Sequence, residues 1–473
     1  MIRRAIAGAG GLIALVACGC SGEPEPTDSD TASTRAAESA ATTSGAPDEP
    51  LALVVHESRD VGRGVSTSAA RRLVANGAPR WSSLGLDGGS MHVVAAPGVS
   101  SSSRIHVASS NEAAVAAVRT DPSTLAIVPA TAVDASVRVL EVAGTSPLRS
   151  PSKYPLRSDA GQSPDTVTTV TVVGDIMLGR RVGEQLTAAD DPAAVFRPLA
   201  RRLASADVTV GNLESTLSDA GAPTQGDDSF AAEPSVRRGL RLAGFDVLDV
   251  ANNHLGDYGV PALRTTLARI ESTGVEYVGA GANRAEARTP VVREVDGVRI
   301  GFYATDSIGE TPGATARSPG TNRLDMPPRT GPLDRAALRE ISADLRRLDR
   351  RVDTVIVMPH WGTQYTHVPE PSQRRAAAAF VRAGADVVAG GHPHWVQPIE
   401  RAPNAVVAYS LGNFVFDMDF MRKTQEGVFL EIVLWDGEVV SADPVPYVIG
   451  DDFAPRIATG ARARQILGDL STR

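Results

Sequence analysis

The chain has 473 residues, 42% of them hydrophobic, with 47 basic and 55 acidic side chains for a net charge of −8. That length exceeds the ~250–300 residues at which a single core usually stops growing, so two folded units joined by linkers are expected. The acidic balance and the lack of a basic stripe exclude a nucleic-acid partner, and the two lysines, Lys153 and Lys423, follow no glycine-rich loop, which excludes P-loop nucleotide chemistry.

The opening segment, "MIRRAIAGAGGLIALVAC", runs from a basic start at Arg3 and Arg4 through a short apolar stretch to small residues. This is the pattern of an export signal, and the apolar stretch is too short to cross a membrane stably. "LVAC" at 15–18 resembles the lipobox of bacterial lipoproteins. The resemblance implies a signal peptide over 1–18, diacylation of Cys18, and an exported chain anchored by lipid to the outer face of the cell membrane. Both cysteines, Cys18 and Cys20, lie within the first twenty residues, so the folded body has no disulfide and no zinc–thiolate site. Residues 19–50 are small, acidic and proline-dotted, an unstructured tether whose r.m.s. span is roughly 30 Å.

From 51 to 150, apolar strands alternate with Ala/Arg segments, giving a small α/β lobe. "SAARRLVANGAPRWSSLG" reads as a helix closed at Asn76-Gly77, and "NEAAVAAVRTDPSTLAIVPATAV" as helix, turn, strand. The unit resembles one lobe of the periplasmic solute-binding proteins, including those for phosphate. A Pro/Ser linker at 151–165 precedes the main domain, 166–450, and residues 451–473 form a C-terminal tail or helix.

The main domain repeats one grammar: a β-branched strand, a short polar motif, a helix. "TVTVVGDIMLGR", followed by the helix "PAAVFRPLARRLASA", is succeeded by "DVTVGNLEST", "DVLDVANNHLGDYG", "DTVIVMPHWGTQY", "DVVAGGHPH" and "VVAYSLGNFVFD". Continuous Val/Ile/Leu strands alternating with helices imply a buried, mostly parallel sheet with helices on its faces. "VVREVDGVRIGFYA" and "FLEIVLWDGEVVSA" add hairpins turned at Asp-Gly. An α/β sandwich follows.

Strand ends in such sheets form the rim where ligands bind. That rim would carry Asp175, then Asn212 and Glu214, then Asn252, Asn253 and His254, then His360, His392 and His394, and Asn413. Five of the eight histidines fall in this domain, and four of the five end a strand. Imidazoles, carboxylates and an amide oxygen without thiolate suit Zn, Mn or Fe, and this many donors suit two neighbouring ions better than one closed tetrahedral site. In "GGHPHWVQP", side chains one residue apart would point to opposite faces of a strand, but beyond its end a turn held by Pro393 can aim His392 and His394 together.

The motifs "GDIMLGR", "NLEST", "ANNHLGDYG", "HWGTQY", "GGHPHWVQP" and "YSLGNFVFD" together resemble the CapA family of poly-γ-glutamate capsule-biosynthesis proteins, which share the calcineurin-like metallophosphoesterase fold. The resemblance covers about 167–420 and implies α-β-β-α layers beside the smaller N-terminal lobe. It implies one or two divalent ions, with Asp175 and His394 on the first, Asn253, His360 and His392 on the second, and Glu214 bridging. His254 would be the general acid, a role its intrinsic pKa suits. Asn212, Asn252, Asp257, Gln364, Tyr365 and Asn413 would contact substrate or support the ligands. Two departures stand out: the phosphoesterase Asp-x-His is Asp175-Ile176-Met177 here, which removes one imidazole, and Glu214 replaces an aspartate. Gln364 also stands where the family often has Glu. The implied function is a metal-dependent hydrolase or transferase on a phosphoester or γ-glutamyl bond of an envelope polymer such as poly-γ-glutamate, alongside other capsule-synthesis proteins. The alternative is a non-catalytic protein that holds, exports or anchors the polymer through the same cation.

Overall fold

The computed structural model describes residues 49–471 apart from 60, 62, 63, 101, 159–162 and 219. The expected signal peptide, Cys18 and nearly all of the tether lie outside these residues; the tether's last two, Glu49 and Pro50, already belong to the first strand.

The lobe is one sheet of β1 (Glu49–Val55), β2 (His92–Ala95), β3 (His106–Val107), β4 (Thr124–Pro129), β5 (Arg138–Val139) and β6 (Arg157–Ser158). Its order is β3-β2-β4-β1-β5, with β6 pairing β1. The stretch 151–165, read as linker, thus contributes β6 and a 3-10 turn at Pro151–Lys153. The helix Thr67–Asn76 starts where the Ser66 side chain accepts from the Ala69 amide and stops at Gly77, whose φ of 68° lets its amide return to Leu73. Every residue of β1 is buried, because apolar clusters cover both faces of the sheet. One of those clusters takes in Val433, Trp435 and Val440 of the main domain, and the Trp435 indole donates to Leu148 O at 2.8 Å.

In the main domain, chain order runs β7 (Val167–Ile176), β8 (Val208–Leu213), β9 (Val247–Asp249), β10 (Glu276–Val278), β11 (Ala280–Gly281), β12 (Val291–Val295), β13 (Val298–Asp306) and β14 (Gly320–Thr321). It continues through β15 (Thr354–His360), β16 (Val387–Ala389), β17 (Ile399–Ala402), β18 (Ala405–Ala408), β19 (Asn413–Val415), β20 (Glu426–Trp435), β21 (Glu438–Ile449) and β22 (Pro455–Ile457). One sheet is ordered β10-β9-β8-β7-β20-β21-β22, with β19 beside the end of β7. Its first four strands are parallel and its last three antiparallel. The second, β12-β13-β15-β16-β18-β17, is parallel at its centre and antiparallel at both edges. The Asp-Gly pairs turn the two expected hairpins, with φ of 49° and 85° at Asp296-Gly297 and 49° and 88° at Asp436-Gly437.

Three apolar cores define the layers. Val170, Val210 and Val247 of the first sheet meet Ile300, Ile356 and Val387 of the second. The outer face of the first sheet packs on the helices Arg180–Ala188, Arg237–Leu242 and Gly259–Glu271. The outer face of the second packs on Arg335–Asp349 and Pro371–Arg382. This is the α-β-β-α sandwich, and no helix among the described residues is long and apolar enough to cross a membrane. Two local expectations change. "PAAVFRPLARRLASA" is a 3-10 turn at Ala194–Phe196 and a short helix at Ala200–Leu203, interrupted at Pro198, whose ring cannot sit in a helix interior. The main helix after β7 is instead Arg180–Ala188, which the motif reading passed over.

Candidate metal centre

Strand register brings the candidate donors together. Asp175 near the end of β7 is paired with Asn212 on β8 and with Asn413 on β19. Asn413 therefore opens a strand rather than ending one: the chain leaves β18, turns through Gly412 at φ 75°, and re-enters beside β7. From the facing sheet come His360, the last residue of β15, and the segment after β16, bridged to it at Gly391. Both His392 and His394 adopt left-handed backbone, at φ of 91° and 57°. For residues with a Cβ this is uncommon and costs energy, and the turn around Pro393, whose carbonyl accepts from the Tyr365 amide at 2.9 Å, holds it.

The donors converge in two groups. Glu214, His360 and His392 place one donor atom each within 4.8 Å of one another, and so do Asp175, Glu214 and His394. Glu214 belongs to both. Its two carboxylate oxygens are buried without a hydrogen-bond partner, as is His392 Nδ1. Buried orphans of this kind are rare, and a divalent cation satisfies all three atoms. The residues, imidazoles and carboxylates without thiolate, fit a metal site. Asn253 adds an amide oxygen 2.9 Å from His360 Nε2.

The electrostatics fit the same use. Burial pushes Glu214 up to about 8, with the Asp175 charge adding to the effect. Burial also pushes Asp175 up, but His394 and His360 outweigh it and hold the carboxyl below its ordinary value. Burial lowers His360, and lowers His392 further with help from the neighbouring imidazoles, so both are neutral and able to ligate. Burial opposes protonation of His394, yet Glu214 and Asp175 raise it.

Supporting contacts orient the donors. Asn212 Nδ2 lies 2.8 Å from Asp175 Oδ1 and 3.1 Å from His360 Nδ1. Asn252 donates to Asn212 Oδ1 and to Leu213 O, both at 2.8 Å. His394 Nδ1 sits 2.8 Å from Asn413 Oδ1 and 3.5 Å from Asp175 Oδ2, which orients the ring in its group. His254 belongs to neither donor group. Its Nδ1 donates to Asp257 Oδ2 at 2.7 Å, its Nε2 lies 3.8 Å from Glu214 Oε1, and its ring stacks on Phe230 at 3.8 Å between centroids. Tyr365 sits at the rim, its ring 6.1 Å from that of His394, with Gln364 half-buried before it on the same loop.

Residues 169–418 match the family described as "Bacterial capsule synthesis protein PGA_cap". The chain belongs to this family. It is 34% identical to the capsule biosynthesis protein CapA of Bacillus anthracis over 298 residues, 62% of this chain and 70% of that one. The PGA biosynthesis protein CapA of Bacillus subtilis (strain 168) is 33% identical over 262 residues, 54% of this chain and 66% of that one. A solved structure of a hypothetical protein from Thermus thermophilus aligns at 17% identity with a TM-score of 0.36, covering 59% of this chain and 99% of that one.

In this PGA_cap chain the sequence reading missed three contributors. Asp306 ends β13 in register with His360 and accepts from the Ile308 amide and the Thr321 hydroxyl. The strand-end rule, carried to the end of "GFYATD", would have found it. Phe230 and Gln225, which steady His254 and Asp257, come from an irregular stretch without periodicity. Gly391 is a further constraint, because a Cβ there would lie 2.4 Å from Asp175 Oδ1 and 3.3 Å from His360 Nδ1. Gly391→Ala is expected to displace Asp175 and weaken metal binding by about 10–100-fold while the global fold survives, as read by metal titration beside circular dichroism. Unchanged metal affinity would remove Asp175 from the centre.

Proposed function

We propose that this PGA_cap protein is a metal-dependent hydrolase or transferase at the cell surface, acting on a phosphoester or γ-glutamyl bond of an envelope polymer, foremost poly-γ-glutamate. The lipobox-like "LVAC" supports export and anchoring through Cys18, and the named relatives support a place among capsule-synthesis proteins. The observation that carries the chemistry is Glu214, a buried carboxylate shared by two donor groups with both oxygens unpartnered.

A divalent cation held there supplies Lewis acidity and a water of lowered pKa. Asp175 and His394 would hold one position, Asn253, His360 and His392 the other, and Glu214 would join them. His254, starting with a proton on each ring nitrogen, would hand the one on Nε2 to the departing oxygen or nitrogen and be left with Nδ1–H alone. Asp257 fixes the tautomer by accepting from Nδ1–H, and Phe230 keeps the ring in plane. A protein that merely holds polymer through a cation has no use for this His254–Asp257 pair, which favours catalysis.

The test is a panel of phosphoesters and γ-glutamyl polymers offered to the purified protein loaded with Mn, Zn or Fe, and again after chelation. One substrate class is expected to turn over, to stop on chelation and to recover on metal addition. Polymer that binds, is released by chelator and is never cut would establish the holding role instead. No turnover and no binding in any metal form sinks both.

A further inference from the structure

The short helix Arg284–Ala287 and the helix Arg335–Asp349, which covers the outer face of the second sheet, wall an open groove of about 1150 Å³. Arg284 and Arg288 stand on one wall, and Arg347, Arg350 and Arg351 on the other. Two carboxylates, Glu340 and Asp344, line it with them. Five positive charges therefore face two negative ones, in a chain whose net charge is −8.

Both carboxylates are engaged inside the groove. Arg288 pairs with Glu340 and with Asp344, Arg347 pairs with Asp344, and the Tyr303 hydroxyl donates to Asp344 at 3.0 Å. Arg284, Arg350 and Arg351 are exposed, and among the described residues they make no ion pair and donate no side-chain hydrogen bond. The other acids nearby are turned elsewhere. Glu286 accepts from the Ala282 amide and the Asn283 side chain, Asp353 is held by Arg299, and Asp349 packs at Gly384, where a Cβ would come 2.5 Å from its Cγ. The dipole of the longer helix favours cations at its C-terminal end, which accounts for Arg347, Arg350 and Arg351. It gives no reason for Arg284 and Arg288 on the facing wall. Like charges lining one groove repel, and an anion laid between them relieves the repulsion.

We propose that this groove holds a segment of an acidic polymer, with carboxylates on Arg284, Arg350 and Arg351 and its methylene groups along a floor that includes Ala285, Pro290 and Ala343. Guanidinium forks match carboxylates, and several carboxylates on one chain bind together where a single exposed pair contributes little. No aromatic ring lines the groove, so it lacks the stacking platform that single-stranded nucleic acid uses. Arg350 and Arg351 lie just before β15 begins at Thr354, whereas His360 ends it. The length of that strand, about 20 Å, separates this end of the groove from the metal centre. Holding a polymer here needs neither metal nor turnover.

The full chain, freed of metal by chelation, is titrated into fluorescently labelled poly-L-glutamate and followed by anisotropy, with free glutamate and inorganic polyphosphate as competitors. The polymer is expected to bind, to weaken steeply with added salt, and to resist displacement by free glutamate. Arg350→Glu combined with Arg351→Glu, and separately Arg284→Glu, should each weaken binding by about tenfold or more. All three side chains are exposed, so the variants should stay folded, as circular dichroism would verify. Arg71→Glu combined with Arg72→Glu, exposed on the lobe helix Thr67–Asn76, changes the net charge as much as the Arg350 and Arg351 pair and should leave binding intact. The proposal is overturned if poly-L-glutamate does not bind the chelated chain, if the lobe variant loses as much as the groove variants, or if polyphosphate competes as strongly as unlabelled poly-L-glutamate. Binding is read here without metal, so its failure leaves the proposed reaction standing, and a failed turnover assay leaves the groove standing.

Discussion

Replacing Glu214 by glutamine is expected to strip the protein of metal while leaving it folded. Both donor groups need this side chain, and an amide offers one neutral oxygen where the carboxylate offers two charged ones. Loss of affinity should exceed the roughly 10–100-fold typical of supporting residues, so metal falls from stoichiometric to trace by elemental analysis. The variant should also be the more stable one without metal at alkaline pH. Glu214 is pushed up to about 8 in the fold, against 4.5 for the free group, so its contribution to stability is complete below about 4.5 and disappears as pH rises through 8. The slope for one proton is about 1.4 kcal/mol per pH unit at most. Chelated wild-type protein should therefore melt at falling temperatures from pH 5 to 8 by comparison with Glu214→Gln, which lacks that group. Metal should erase the difference, since the ion takes the proton's place. Full stoichiometry in the variant would show that the ions sit elsewhere.

His254→Ala should do the reverse: keep the metal and lose the chemistry. Its ring is outside both donor groups, yet its Nε2 faces Glu214 across 3.8 Å, on the side where a leaving group would stand. Loss of a positioned general acid costs about 10²–10⁴ in kcat. Substrates whose leaving groups need no proton should be spared, so the defect should shrink as leaving-group pKa falls. That selectivity separates an acid from a prop, because a loosened pocket would slow all substrates alike. An unimpaired rate on poor leaving groups removes His254 from the reaction.

The donors were legible because parallel α/β sheets expose their strand ends on one rim, so polar residues ending apolar runs could be gathered without knowing the register. Asp175, Glu214, His360 and His392 all carry that signature. The pairing of donors into two groups was not readable from periodicity and came from family resemblance. Asn413 was placed at the wrong end of its strand, because the return through Gly412 interrupts an apolar run that reads as continuous. Phe230 and Gln225 were invisible for a different reason: they reach His254 and Asp257 only through tertiary packing. The helix Arg180–Ala188 rests its apolar stripe on two buried residues, Val182 and Leu186, too few to stand out among its polar neighbours.

The junction at Trp435 has a mechanical implication. Trp435 and Val433, embedded in the lobe's core, stand on β20, and the second half of β20 is hydrogen-bonded to β7, the strand that carries Asp175. A tug on the lobe is thus delivered to the same strand that carries Asp175 into the candidate metal centre. Under the proposed anchoring, tension carried into the lobe would be felt directly at the candidate metal centre.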